Sequence, residues 1–266
     1  MMAATQPQEP SSDLPRPWSD LAYFFDLDGT LVELTAIPTG VEADATLQRL
    51  ITEIAALADG AVAIITGRPI SDIDRLFPGV GLPVAGQHGS ERRNAVGEVI
   101  RHASSAHGLE SARRTLHGVV AKHPTLLLED KGLSIALHYR QAPQLAGFAH
   151  RTMHAIQRTV GDAFCVQSGK RVVELKPAGR DKGVAIMEFM AEPPFRGRVP
   201  VFIGDDVTDE HGFTVVNALH GMSIKVGHGR TGAIRQLPDV RAVRRWLTDH
   251  LAAHGATPIT LQDTTA

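Results

Sequence analysis

The chain has 266 residues, 43% hydrophobic and 21% charged, with a formal net charge of −2. That length holds one large domain or two modest ones around an ample apolar core, and the near-neutral balance gives no bulk attraction to nucleic acid, so a small-molecule partner is expected. The one cysteine, Cys165, excludes an intrachain disulfide and a thiolate metal cluster and suits a reducing compartment such as the cytoplasm.

Residues 1–20 lack a basic start followed by an apolar run, so they read as a disordered tail rather than a signal peptide or membrane anchor. No later segment approaches the roughly 18–20 uninterrupted apolar residues of a membrane helix. From Leu21 to Phe25 the run LAYFF reads as a strand buried on both faces, and Asp26 and Asp28 follow at its carboxyl end before a Gly29-Thr30 turn. Apolar residues at Ala43, Leu47, Leu50, Ile51, Ile54 and Leu57 share one helical face. AVAII (Ala61 to Ile65) is a second buried strand ending in Thr66-Gly67-Arg68, Pro69 opens another helix, and Leu82 to Ala85 form a third strand.

The middle has a different grammar. A helix over Leu109 to Lys122, strands near Leu126 to Glu129 and Ser134 to Tyr139, a helix over 143–160, and strands near 164 and 172–175 make an αββαββ pattern. Short turns such as Asp130-Lys131-Gly132 favour antiparallel pairing. The alternating pattern then resumes: a helix from Asp181 to Met190, the buried strand VPVFI (Val199 to Ile203) running into GDDVTDE, a strand at GMSIKV, and a last helix over Val240 to Leu251.

Alternating strands and helices predict a parallel sheet with helices on both faces, whose ligands bind beyond the carboxyl ends of the strands. The expected class is therefore α/β: a Rossmann-like core from 21–103 and 177–252, an inserted α+β cap over 104–176, and a flexible tail over 253–266. Such a cap could close over the strand ends and exclude water.

Asp26, Asp28, Thr66, Gly67 and the acids Asp205, Asp206 and Asp209 all fall at carboxyl ends of core strands, with Lys182 opening a nearby helix. Carboxylates with one lysine at the top of a parallel sheet suit Mg²⁺, a hard cation that takes oxygen ligands and shares them with a phosphate. Asp26, Asp28 and Asp205 are the expected ligands, Asp28 through its backbone carbonyl, and Asp206 and Asp209 the outer support or helix caps. In this reading Asp26 attacks phosphorus and Asp28 serves as acid, then base. Lys182 neutralises charge, and Thr66 with backbone N–H groups around Gly29 and Gly67 holds the phosphate oxygens.

DLDGT at 26–30, Thr66, Lys182 and GDD at 204–206 together resemble the four motifs of the haloacid-dehalogenase-type phosphatases. The resemblance extends to the trehalose-6-phosphate phosphatases through AGQHGSERR (85–93), LEDKGLSIALHYRQAP (128–143), VVELKPAGRDKG (172–183) and GDDVTDEHGF (204–213). It implies an aspartyl-phosphate intermediate, Mg²⁺, trehalose 6-phosphate as substrate, and a cap that reads sugar hydroxyls through residues matching Glu129, Lys131 and Glu174. Two further positions, His88 and Arg140, are carried as sugar contacts, with a structural role as the alternative for each. Another sugar phosphate such as sucrose phosphate, or a non-catalytic sugar-phosphate sensor, stays open as an alternative.

The remaining histidines are scattered without zinc-site spacing and are expected on the surface or in loops. Arg92-Arg93, Arg113-Arg114 and Arg244-Arg245 read as solvated helix faces rather than a nucleic-acid groove, and Cys165 as a small buried residue of the cap. No exposed heptad or edge suggests a partner chain, so a monomer is expected.

Overall fold

The computed structural model describes residues 17–34, 40–102 and 105–253, so most of both expected tails lies outside the described residues. Residues 17–20 of the expected N-terminal tail are among those described. Pro17 leads into a 3-10 turn at Trp18–Asp20, and the Trp18 ring is buried against Tyr23 and His250, with centroids 4.9 and 4.4 Å away. An indole this large withdraws enough apolar surface to hold a chain end down.

The larger sheet contains β1 (Leu21–Phe25), β2 (Val62–Ile65), β3 (Val84–Gly86), β4 (Glu91–Arg93), β5 (Val99–Arg101), β10 (Val199–Gly204), β11 (Met222–Val226) and β12 (Arg235–Leu237), in the order β12-β11-β10-β1-β2-β3-β4-β5. Pairing is parallel from β12 to β3 and antiparallel from β3 through β5. Every residue of β1 and β2 is buried, as the apolar runs require of strands covered on both faces. The covering helices are α1 (Ala45–Leu57), α2 (Ile70–Leu76), α5 (Lys182–Met190), α6 (Glu210–Ala218) and α7 (Val240–Ala253). Asp44 starts α1 by accepting from Leu47 N at 2.8 Å, and Leu47, Leu50, Ile51 and Ile54 face the core.

The antiparallel edge departs from the sequence reading. Glu91-Arg92-Arg93 forms β4, not a solvated helix face, and Arg92 is buried: it pairs with Glu188 at 3.3 Å and with Glu192, and its guanidinium lies 4.9 Å from the Phe189 ring centroid. The two acids and the ring face supply the partners a buried guanidinium needs. Arg113-Arg114 and Arg244-Arg245 do lie on helices, α3 (Ala106–Lys122) and α7. Strand β12, also absent from the sequence reading, is three residues long, too short for a periodic signal.

Between the halves of this sheet the chain builds a second, antiparallel one from β6 (Leu127–Asp130), β7 (Ile135–His138), β8 (Phe164–Gly169) and β9 (Val172–Pro177), ordered β6-β7-β9-β8. With α3 and α4 (Ala146–Val160) it follows the expected αββαββ order. Alternation across the strands sorts its side chains. Leu137, Val173, Leu175 and Phe164 pack with Leu116 and Met153 of the helices in a core of their own, while Glu129, Ala136, Glu174 and Gln167 form one cross-strand row on the opposite face. Cys165 on β8 is half-buried rather than fully enclosed.

Candidate active site

Register brings the chemistry together. Phe25 pairs with Ile203 on one side and Ile64 on the other, so β1, β2 and β10 end level and release Asp26, Thr66 and Asp205 at one edge. The Asp26 amide is fixed by donating to Ile203 O at 2.9 Å, and Thr66 N donates to Ala85 O at 2.9 Å. Gly29 turns the chain at φ +84°, and a Cβ there would stand 2.1 Å from Asp205 Oδ2, so both backbone and space require glycine.

Asp26 is 4% exposed. Its Oδ1 accepts from Lys182 Nζ at 2.7 Å and its Oδ2 from Thr30 Oγ1 at 3.3 Å. Lys182, positioned where Asp181 caps α5, also donates to Asp209 Oδ1 at 2.6 Å. The second oxygen of Asp209 accepts from the amides of Asp205 and Asp206 at 2.9 and 2.8 Å, so Asp209 braces the loop and Asp206 caps the turn after β10. Burial, with the carboxylates of Asp209 and Asp205 adding to it, pushes the Asp26 carboxyl well up against the opposing pull of Lys182. Burial likewise raises Asp205, against the pull of Lys170. Burial opposes the Lys182 charge, but Asp209 and Asp26 outweigh it and hold the ammonium above its ordinary value.

Asp26, Asp205 and Asp209 offer carboxylate oxygens within 4.8 Å of one another, all buried. Three carboxylates face the one buried ammonium of Lys182, so this cluster carries more acidic groups than Lys182 neutralises. An all-oxygen donor set with surplus negative charge fits a hard dication such as Mg²⁺. Asp28 stands apart from the cluster by its side chain: Arg68 grips it through Nε at 2.6 Å and Nη2 at 2.7 Å.

The second sheet roofs this edge. Glu129, Lys131, His138, Arg140, Lys170 and Glu174 join the core acids in one cleft, with His88 and Thr66 on the opposite wall. Lys131 Nζ donates to Glu174 Oε2 at 2.9 Å and across to Gly67 O at 3.0 Å; Ser134 Oγ lies 2.6 Å from Glu174 Oε1. Burial would raise Glu174, but Lys131, His88 and Ser134 outweigh it and hold the carboxyl far below its usual range. Glu129 is lowered in the same sense, burial being outweighed by His138 at 2.7 Å and by Lys131. His88 has φ +56° inside a left-handed run with Gln87 and Gly89, Nε2 3.5 Å from Glu174, and a buried Nδ1 without a partner among the described residues; burial lowers its pKa. Of the other histidines, His250 departs from the surface expectation, being buried with Nε2 3.2 Å from Tyr23 Oη.

Every residue singled out from the sequence lies at this edge or cleft. Arg68, His138 and Lys170 were missed. Arg68 directly follows Thr66-Gly67, so adjacency to that strand-end turn was its available signal. Lys170 occupies the first position of the two-residue turn between β8 and β9, and the signal there was a glycine between two apolar strands.

A sequence model of the family described as Trehalose-phosphatase matches residues 24–238. The trehalose-6-phosphate phosphatase of Escherichia coli (strain K12) is 44% identical over 240 residues, covering 90% of each chain. The probable trehalose-phosphate phosphatase of Sinorhizobium fredii is 38% identical over 225 residues, covering 84% of each. Among solved structures, the C-terminal domain of C. albicans trehalose-6-phosphate phosphatase superposes with a TM-score of 0.78 over 90% of this chain and 93% of that one, at 21% identity, a likeness of fold.

Proposed function

The chain belongs to the trehalose-phosphatase family, and from that premise we propose that it hydrolyses trehalose 6-phosphate to trehalose and inorganic phosphate through a phosphorylated Asp26. The observation that carries the reading is the Asp26 carboxylate, held by Lys182 and Thr30 at the mouth of an all-oxygen cluster beneath the cross-strand row of Glu129, Ala136, Glu174 and Gln167.

Asp26 attacks phosphorus through one carboxylate oxygen, forming an acyl phosphate while the bond from phosphorus to the sugar O6 breaks. Asp28, once it has left Arg68 and taken up a proton from solvent, gives that proton to the departing O6, so trehalose leaves as a neutral alcohol. The same carboxylate then takes a proton from water, whose oxygen attacks phosphorus, frees Asp26 and yields phosphate. Lys182 stays against Asp26 throughout and offsets its charge, and Thr66 with the amides around Gly29 and Gly67 receives the phosphoryl oxygens. Asp26, Asp205 and the Asp28 backbone would hold Mg²⁺, with Asp206 and Asp209 supporting them, and the bound ion would screen the repulsion between carboxylate and phosphate dianion. Glu129, Lys131, Glu174, Arg140 and His88 present charged and polar groups to the sugar hydroxyls. Such groups discriminate strongly, because a substrate lacking the matching hydroxyl forgoes their charge-assisted hydrogen bonds.

The test is phosphate release from a panel including trehalose 6-phosphate, sucrose 6-phosphate and glucose 6-phosphate, with Mg²⁺ or chelator, for the parent and Asp26→Asn. Mg²⁺-dependent release that favours trehalose 6-phosphate and vanishes in Asp26→Asn is expected. Equal rates on all three sugars overturn the substrate, and binding without release in the parent overturns the chemistry.

A further inference from the structure

The tip of the β8–β9 hairpin reaches across from the second sheet into the acidic cluster. Lys170 Nζ is ion-paired with Asp205 Oδ2, and its backbone amide donates to Asp206 Oδ2 at 3.2 Å. The tip is shaped for that reach. Gly169 pairs with Val172, leaving only Lys170 and Arg171 in the turn, and Arg171 takes φ +64° without being glycine. A Cβ on Gly169 would press Val172 Cγ1 at 3.0 Å and Asp206 Oδ2 at 3.3 Å. A strained two-residue turn pressed against the opposite wall of a cleft is held there by its contacts.

The ammonium of Lys170 differs from the other lysines of the cleft. Lys182 is spent on two buried carboxylates, and Lys131 on Glu174 and a backbone carbonyl. Lys170 is side-chain exposed to 45%, and Asp205 is its one side-chain partner among the described residues. Charge decides when this position is favourable. Three carboxylates face one buried ammonium, so without a cation the cluster attracts Lys170. A dication on Asp26 and Asp205 would cancel that surplus and remove the attraction for Lys170; a phosphate dianion beside it would restore negative charge for the ammonium to meet.

We propose that Lys170 is a further phosphate-binding residue, delivered by the cap. It exchanges Asp205 for a substrate phosphoryl oxygen, so that the hairpin closes over the metal-loaded site only when a phosphate occupies it. The inference rests on the functional reading above in taking a phosphorylated substrate and a dication at the cluster, and it adds a binding contact that the sugar-reading row does not supply.

The experiment uses the full chain as parent, Lys170→Met and Lys170→Arg. The first arm measures the inhibition constant of inorganic phosphate in the presence of Mg²⁺, together with KM and kcat for trehalose 6-phosphate. The second measures Mn²⁺ binding by electron paramagnetic resonance without phosphate. Lys170→Met should weaken phosphate and raise KM roughly 10- to 100-fold, the scale of one charge-assisted hydrogen bond, with a smaller change in kcat. Lys170→Arg should recover most of the loss. Removing the competing ammonium should also tighten Mn²⁺ in Lys170→Met. Phosphate inhibition within about twofold of the parent in Lys170→Met overturns the proposal, as does a loss that Lys170→Arg fails to recover. If the parent hydrolyses no sugar phosphate, the functional reading fails by itself, and phosphate binding measured by calorimetry in the same variants still decides the role of Lys170.

Discussion

The two sheets solve opposite problems with the same backbone. In the larger sheet β1 and β2 are buried on both faces, and the polar groups of the candidate site sit where β1, β2 and β10 stop, at Asp26, Thr66 and Asp205. In the smaller sheet it appears along the strands themselves: alternation sends Leu137, Val173 and Leu175 into an apolar core and turns Glu129, Glu174 and Gln167 toward the cleft. A strand end fixes one side chain rigidly, which suits a nucleophile that must sit within tenths of an ångström. A strand face offers a row of polar groups about two residues apart, which suits a sugar with many hydroxyls. Under the proposed function, bond breaking belongs to one sheet and recognition to the other, and substitutions can separate the two.

The sharpest separation is expected at the strand ends. Asp26→Asn keeps size and one acceptor oxygen but removes the proposed nucleophile, so phosphate release should fall by on the order of ten-thousand-fold or more while the sugar phosphate still binds. Titration of trehalose 6-phosphate into this variant by calorimetry checks the second half; a variant that neither turns over nor binds would mean that Asp26 organises the cleft rather than attacks. Removing divalent cations should cost roughly a thousandfold in rate, the equivalent of several kcal/mol of charge stabilisation, and added Mg²⁺ should restore it. Unchanged activity in chelator would remove the cation from the site.

On the recognition face the expected effect is smaller and of another kind. Glu174→Gln loses a charge from the row without altering shape, and KM for trehalose 6-phosphate should rise about 10- to 100-fold, the scale of an ionic hydrogen bond. For a small aryl phosphate, which has no sugar to read, the same variant should lose far less. Equal losses on both substrates would merge the two sheets into one functional unit and end the division.

The same contrast explains what could be read in the sequence. Strand-end residues were legible because a buried apolar run that stops at Asp26-Leu27-Asp28-Gly29 locates itself in one dimension, and so do Thr66 and the Gly204-Asp205-Asp206 triplet. Residues that work through the third dimension were not. Arg68 shows its grip on Asp28 only once β1 and β2 lie side by side, 40 positions apart in the chain. Lys170 meets Asp205 only because the hairpin folds across the cleft. Arg92 carried a charge pattern that reads as solvated, and its burial depends on Glu188, Glu192 and Phe189 arriving from α5 and the segment after it. Local pattern reports a residue's own environment when neighbours in sequence make it, and fails when distant partners do.

Stability offers the finest test, because Glu174 ties the two sheets together. Lys131, His88 and Ser134 hold its carboxyl below the ordinary value of 4.5 against the effect of burial. For a carboxyl whose pKa is depressed by folding, the unfolded chain takes up protons first as pH falls. The stabilisation is therefore complete above about pH 4.5 and is lost progressively as pH drops below it toward the depressed folded value. Glu174→Gln lacks that titration. The melting-temperature gap between parent and variant should be widest near neutrality and narrow as pH is lowered from 6 to 3. His88, whose own pKa is lowered by burial, weakens the parent over part of the same window, and His88→Asn in both backgrounds removes that contribution. A gap that stays constant with pH would mean the Glu174 carboxylate gains nothing from Lys131 in the folded state, leaving the cap held by its apolar core and the Lys170 hairpin.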